Sequence, residues 1–200
     1  MAEHSAPPGA EILLYRHSRL FDRKALDSFR GSHLIRDPRD VVVSGYHYHL
    51  WTDEEWVHVP SPEYGGMTYQ QYLRSLDLEA GMAAEIRRSA GSDLAEMGQW
   101  TYAQPEFLEL RYEDFIVDEA NHFGRIFRHY GFKPAAVERS VDLALRFSFQ
   151  RMAGRSIGQV KEGSHLRSGK PGQWREVLSP RNMALFRELT GDLLERLGYV

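Results

Sequence analysis

The segment Ser32 to Ser44, SHLIRDPRDVVVS, constrains this chain more than any other. An apolar run, Ser32 to Ile35, reads as a short strand, and the residues after it carry the signals of a helix start. Asp37 is a good N-cap, Pro38 suits the first helical position, and Asp40 stands where a capping box puts its acid. Val41, Val42 and Val43 pull the other way, because three β-branched residues in a row prefer a strand. A buried helix lying against a sheet tolerates them, and a helix from Pro38 is the reading adopted here.

The same alternation recurs along the chain. Glu11 to Tyr15, EILLY, and Phe107 to Arg111, FLELR, are the other expected strands. Arg23 to Phe29 reads as a helical turn or two. Thr52 to Met67 reads as a surface loop. Thr68 can cap a helix through Leu76 to Arg88, and Ser92 another through Trp100. Helices are expected over Asp118 to Tyr130, stopped by Gly131, and over Pro134 to Phe147. Met152 to Trp174 is glycine-rich and basic and reads as a mobile loop. A last amphipathic helix opens at Ser179 and Pro180 and ends at Gly198. Short strands alternating with helices imply one α/β domain over 1–200 with a mainly parallel sheet, frayed over residues 1–10 and carrying a mobile basic loop at 152–175. Ligands of such sheets sit at the carboxyl ends of the strands, which draws attention to Arg16 and His17, Arg36 to Asp40, and Arg111 to Asp114.

Composition removes several alternatives. Hydrophobic residues make up 42% and charged residues 26% of the 200 residues, so a packed core is expected. A net charge of −3 disfavours a nucleic-acid partner. The chain has no cysteine, which excludes disulfides, thiolate metal sites and cysteine nucleophiles. No apolar run approaches the roughly 18 residues of a spanning helix, so no membrane partner is expected. The first ten residues lack a basic start and an apolar stretch; they do not read as a signal peptide, and a cytoplasmic location is expected.

The turn at Arg36 has the makings of an anion site. A helix starting at Pro38 presents unpaired backbone N–H groups and the positive end of its dipole. Arg36 adds a planar fork for two phosphate oxygens, and Ser44, two turns on, adds a hydroxyl if its face turns inward. Asp37 and Asp40 would repel an anion and should face away from it. On spacing alone, a plain capped helix with a surface arginine stays open as the alternative.

LIRDPRDVVVSGYHYH, from Leu34 to His49, resembles the 3′-phosphate-binding segment of the sulfotransferase family. Members of that family use 3′-phosphoadenosine 5′-phosphosulfate (PAPS) as sulfuryl donor and release PAP. The resemblance implies a three-layer α/β sandwich of the P-loop-NTPase-like sulfotransferase type, with Arg36 and Ser44 on the 3′-phosphate. LRYEDF is similar to the family's Tyr-Glu-Asp segment and puts Tyr112 near the adenine. FSFQRM is similar to the segment flanking the adenine, which assigns Ser148 and Phe149 there. LRSGKPGQW resembles the Arg-Lys-Gly…Gly-Asp-Trp loop, which assigns Arg167, Ser168 and Gly169 to the donor. Ser168 stands where the family has lysine and Gln173 where it has aspartate. Lys161, His165, Arg167, Lys170 and Arg175 would then form a basic lid over an anion. LLYRH ends a strand about where the family places its histidine, so His17 is the implied general base; an unperturbed imidazole titrates near 6.5.

The family's Lys-Ser-Gly-Thr-Thr-Trp type loop, which wraps the 5′-phosphosulfate, has no counterpart in the sequence. The fold is therefore expected to be N-terminally abbreviated, either with Lys24, Lys161 or Lys170 standing in or with catalysis lost. A missing central strand would leave edges that a homodimer could cover. The expected function is sulfuryl transfer from PAPS to a hydroxyl or amine of a small-molecule or glycan acceptor. The alternative is a non-catalytic or truncated PAP-binding module of the same fold. A kinase is disfavoured because no Walker-type loop is present. No metal is expected: on a helix, His47 and His49 point about 200° apart and do not chelate together. Trp51, Trp56, Tyr64 and Tyr69 either line an acceptor pocket or anchor a loop to the core.

Overall fold

The computed structural model of the protein describes residues 28–200. The expected strand Glu11–Tyr15, together with His17 and Lys24, lies outside the described residues. Strand β1 (Gly31–Ile35) pairs in parallel with β2 (Phe107–Arg111), Gly31 opposite Phe107 and Ile35 opposite Arg111. The crossover between them carries helices α1 (Pro38–His49), α2 (Tyr69–Ser75), α3 (Leu78–Ala90) and α4 (Asp93–Gln99). Helices α5 (Tyr112–Val117), α6 (Glu119–His129), α7 (Pro134–Ala144) and α8 (Phe149–Ala153) follow β2. The chain ends through α9 (Trp174–Val177), α10 (Pro180–Thr190) and α11 (Leu193–Leu197). The architecture is α/β with a parallel sheet, as the sequence implied. Among the described residues no helix is long and apolar enough to cross a membrane.

The valine run is helical because α1 runs between two apolar clusters. Val42 packs with Ile35, Ile86, Leu94 and Phe186, whereas Val43 and Tyr46 pack with Val57, Tyr69, Leu73 and Met82. Val42 and Val43 are fully buried. Burying each side chain contributes about 1.5–3 kcal/mol, which outweighs a helix-propensity penalty of at most about 0.7 kcal/mol per residue. Helices α1 and α3 approach closely where each carries a glycine. A Cβ on Gly81 would meet the Tyr46 ring at 2.6 Å, and one on Gly45 would meet Glu85 Oε1 at 2.7 Å.

Several helices expected to be continuous are broken, each at a residue able to cap or to swivel. The helix read from Thr68 to Arg88 divides at Leu76, because the Asp77 carboxylate accepts from Ala80 N (2.8 Å) and restarts the chain as α3. Thr68 caps α2 in a full capping box with Gln71. Ser92 precedes α4 but does not cap it; its hydroxyl donates to the Arg88 carbonyl at 3.0 Å. The helix from Pro134 tightens into a 3₁₀ turn at Leu145–Phe147, and the last helix divides at Gly191.

Candidate functional site

The site is built from the β1–α1 turn outward. Asp37 caps α1 by accepting from Arg39 N (2.9 Å), and its carboxylate also holds the Arg39 guanidinium through Nε (2.9 Å) and Nη2 (2.8 Å). Arg39 further donates to the Tyr199 carbonyl (2.7 Å) and lies over the Trp174 ring. Asp40 does not complete the expected capping box. The Asp37 N–H donates instead to Glu113 Oε1 (2.8 Å). Asp40, wholly buried, reaches across to the loop before α9, where it accepts from Gly172 N and from Trp174 N (3.0 Å). Burial pushes the Asp40 carboxyl above its ordinary value although those two N–H groups and Arg36 favour its charge.

Arg36 is handled differently from Arg39. Its guanidinium stacks over the Tyr112 ring at 4.7 Å, and its nearest carboxylate oxygen, on Asp40, is 4.0 Å away. No side-chain hydrogen bond forms on it among the described residues, and Nε is buried without a partner. A half-buried guanidinium with a buried, unmet N–H is costly unless something anionic meets it. Arg36, Ser44 and Arg167 all line one cavity of about 620 Å³, a size normal for small-molecule sites. Ser44 is exposed on that wall, so its face of α1 does turn toward the cavity.

The remaining donor candidates gather behind Arg36. Tyr112 starts α5 and donates its hydroxyl to the Gly169 carbonyl (3.0 Å). Gly169 lies in the left-handed region at φ 67°, and a Cβ there would stand 2.9 Å from the buried Phe149 ring. Only glycine fits between Tyr112 and Phe149. Ser148 caps α8, accepting from Arg151 N at 3.4 Å. Ser168 is buried, and its carbonyl takes the Gly158 N–H at 2.8 Å. Arg167 bonds Glu162 through Nε (3.1 Å) and Gln173 through Nη1 (2.9 Å). The glutamine that departs from the family pattern thus holds the arginine that keeps it. Tyr112, Ser148, Phe149, Ser168 and Gly169 do not line the cavity; they form its backing, joined to it through the Arg36–Tyr112 stack.

The structure divides the aromatic residues that the sequence left undecided. Trp51 and Trp56 line the cavity beside Tyr48 and His165, whereas Tyr64 and Tyr69 pack into the second core cluster. Among the described residues no lysine lines the cavity; Lys170 pairs with Glu176 at 2.7 Å. His47 lies 3.6 Å from Glu162, and burial together with the nearby Arg167 pushes its imidazole below the ordinary value. His49 turns to a different partner, Glu85, at 2.9 Å. No group of three candidate metal ligands forms among the described residues.

Two features escaped the sequence reading. One is the Asp40 tether between α1 and the loop, which spans more than 130 residues and leaves no local signal. The other is the network around Glu85. Glu85 shares the buried face of α3 with Met82, Ile86 and Ser89, so a carboxylate at apolar helical spacing was the available sign.

Comparison with known proteins places this geometry. No curated protein matches the chain significantly. Among solved structures, mouse sulfotransferase SULT7A1 complexed with PAP aligns at 17% identity and a TM-score of 0.55, over 86% of this chain and 60% of that one. Retinol dehydratase in complex with androsterone and the inactive cofactor PAP aligns at 21% identity and a TM-score of 0.50, over 96% of this chain and 55% of that one. The chain thus spans less than two thirds of either solved relative, and the likeness is one of fold. A family model described as the sulfotransferase domain matches residues 30–198, and the chain belongs to the sulfotransferase domain family.

Proposed function

We propose that the chain binds the PAP portion of PAPS at the β1–α1 turn and transfers the sulfuryl group to a hydroxyl or amine of a small-molecule or glycan acceptor. The observation that carries this reading is Arg36, a half-buried guanidinium on the cavity wall whose buried Nε has no hydrogen-bond partner among the described residues. A 3′-phosphate supplies what its planar fork lacks, and the Ser44 hydroxyl on the same wall adds one more donor. Arg167 closes over the anion from the loop, and the Tyr112–Gly169–Phe149 stack backs the adenine. His17, as the family resemblance implies, takes the acceptor's proton. Sulfuryl transfer, like phosphoryl transfer, depends on positioning and charge neutralisation, and two arginines on one cavity wall suit that task. PAP bound in both solved relatives supports the cofactor. In the second of them the co-bound ligand is androsterone, which supports a small-molecule acceptor in the cavity here.

The test is thermal unfolding with PAP, and with ATP and AMP as controls. At about 100 times its Kd, PAP should stabilise the native state by roughly 2.7 kcal/mol, while the controls do much less. Equal shifts with ATP and PAP would remove the 3′-phosphate from the site; no shift with any of them would remove the nucleotide.

A further inference from the structure

One wall of the cavity carries none of the residues assigned above to the donor. His49, in the last turn of α1, lines it while its Nδ1 lies 2.9 Å from Glu85 Oε2. The two side chains are 7% and 0% exposed. Glu85 is fixed from three further directions: by the Tyr69 hydroxyl (2.7 Å), Arg88 Nε (2.9 Å) and the Ser89 hydroxyl (3.1 Å). Burial raises the Glu85 carboxyl, but the His49 hydrogen bond and the Arg88 charge outweigh it and hold the group below its ordinary value. It is therefore a carboxylate, which only accepts, so Nδ1 of His49 carries the hydrogen, and in the neutral imidazole Nε2 carries the lone pair. Nε2 makes no hydrogen bond among the described residues and is not sealed off from the cavity. A histidine serving only the core would have both nitrogens engaged; this one has its inner nitrogen held and its outer one open. Carboxylate–imidazole pairs of this kind fix the tautomer and the orientation of the ring.

We propose that His49, buttressed by Glu85, is a second proton-accepting residue of the acceptor pocket and hydrogen-bonds the acceptor hydroxyl through Nε2. The proposal rests on the sulfotransferase reading of the site. In the step it serves, the acceptor oxygen forms a bond to sulfur as the bond between sulfur and the 5′-phosphate oxygen of PAPS breaks. The electron pair of that bond leaves on PAP, and the acceptor's single proton passes to Nε2 along this route rather than to His17. Glu85 balances the imidazolium so formed. The aromatic walls at Tyr48, Trp51 and Trp56 suit a flat alcohol beside it.

Two measurements on the full chain test this, with 2-naphthol and phenol as probe alcohols. In ¹⁵N-histidine-labelled protein, the His49 imidazole should show its hydrogen on Nδ1, and its Nε2 resonance should move when a probe is added, with or without PAP. An Nε2 resonance that ignores both probes overturns the proposal. The second measurement is sulfuryl transfer from PAPS to 2-naphthol by His49→Asn, whose amide nitrogen replaces Nδ1 as donor to Glu85 while Nε2 is lost. The rate should fall by at least about a hundredfold, with stabilisation by PAP unchanged; a rate within twofold of wild type overturns the proposal. His17→Asn in parallel separates the two histidines, because a loss confined to that variant also overturns it. Absence of stabilisation by PAP in the wild type sinks the donor reading alone, and the resonance measurement, which needs no donor, still decides for or against His49.

Discussion

The two ends of α1 each meet a fully buried carboxylate, Asp40 near the first turn and Glu85 opposite the last, and the two are treated in opposite ways. Glu85 accepts from four side chains on three helices, and its charge is held firmly. Asp40 relies on two backbone N–H groups of a distant loop, with Arg36 4.0 Å off. Burial wins at Asp40 and loses at Glu85. The C-terminal end of the helix is thus a settled hub that aims an imidazole. The N-terminal end has an arginine whose side chain makes no hydrogen bond among the described residues and a carboxylate whose charge is only partly compensated. A protein keeps such unfinished electrostatics where a ligand finishes them.

The hub should break hardest. Glu85→Ala removes the common acceptor of His49, Tyr69, Arg88 and Ser89 and leaves a part-buried guanidinium, still paired with Asp93, beside three stranded donors. Breaking a buried pair from one side costs about 3–5 kcal/mol. At 2–4 °C per kcal/mol for a domain of this size, the midpoint of thermal unfolding should fall by roughly 6–20 °C. A fall of a degree or two would mean that water already shares the network, and the contrast with Asp40 would disappear.

The arginines sharpen the comparison. Arg39→Met strips Asp37 of its partner and should lower stability. Arg36→Met removes a guanidinium that makes no hydrogen bond among the described residues and only a 4.0 Å pairing with Asp40, so the free protein should lose less stability than with Arg39→Met. The roughly 2.7 kcal/mol of stabilisation expected from PAP at about 100 times its Kd should then vanish. Calorimetry of both variants, with and without PAP, reads this directly. Equal destabilisation by the two substitutions would make Arg36 structural.

Much of this was legible in the sequence, and for local reasons. The strand–turn–helix at Ser32–Ser44 declares itself through a cap, a proline and periodicity, all set within a few residues. The four family-like segments carried the proposed donor site in the same way. The misreadings arose where a local signal had a rival. Asp77 outcompeted helix continuation, and Asp40 gave up its capping box because Glu113 reached the Asp37 N–H first. What the sequence hid was tertiary: the loop that folds back onto Asp40, and the α3 carboxylate that meets α1 across Gly45. Their partners lie tens of residues away or more, beyond the reach of any spacing rule.

Asp40→Asn gives the smallest effect and the most specific one. The amide keeps one acceptor oxygen but turns an NH2 toward the N–H of Gly172 or Trp174, leaving one backbone donor unmet at about 1–3 kcal/mol. Because that loop carries Arg167, PAP should also bind more weakly. The pH dependence follows from the sign of the Asp40 shift. Its carboxyl binds a proton more readily folded than unfolded, where the ordinary value is 3.8. The folded state therefore gains stability from Asp40 as pH falls through the folded value toward 3.8, and loses it as pH rises again. Asparagine has no such contribution. Glu85 works the other way, stabilising above its ordinary 4.5 and losing that stability as pH falls below it, but it is common to both proteins and cancels. The gap in urea midpoint between wild type and Asp40→Asn should accordingly widen from pH 7 toward pH 4. A gap that stays constant or narrows would show that the Gly172 and Trp174 backbone N–H groups compensate Asp40 fully, making it as settled as Glu85 and leaving the Arg36 guanidinium and the Trp174 indole N–H as the unfinished groups at that end of the helix among the described residues.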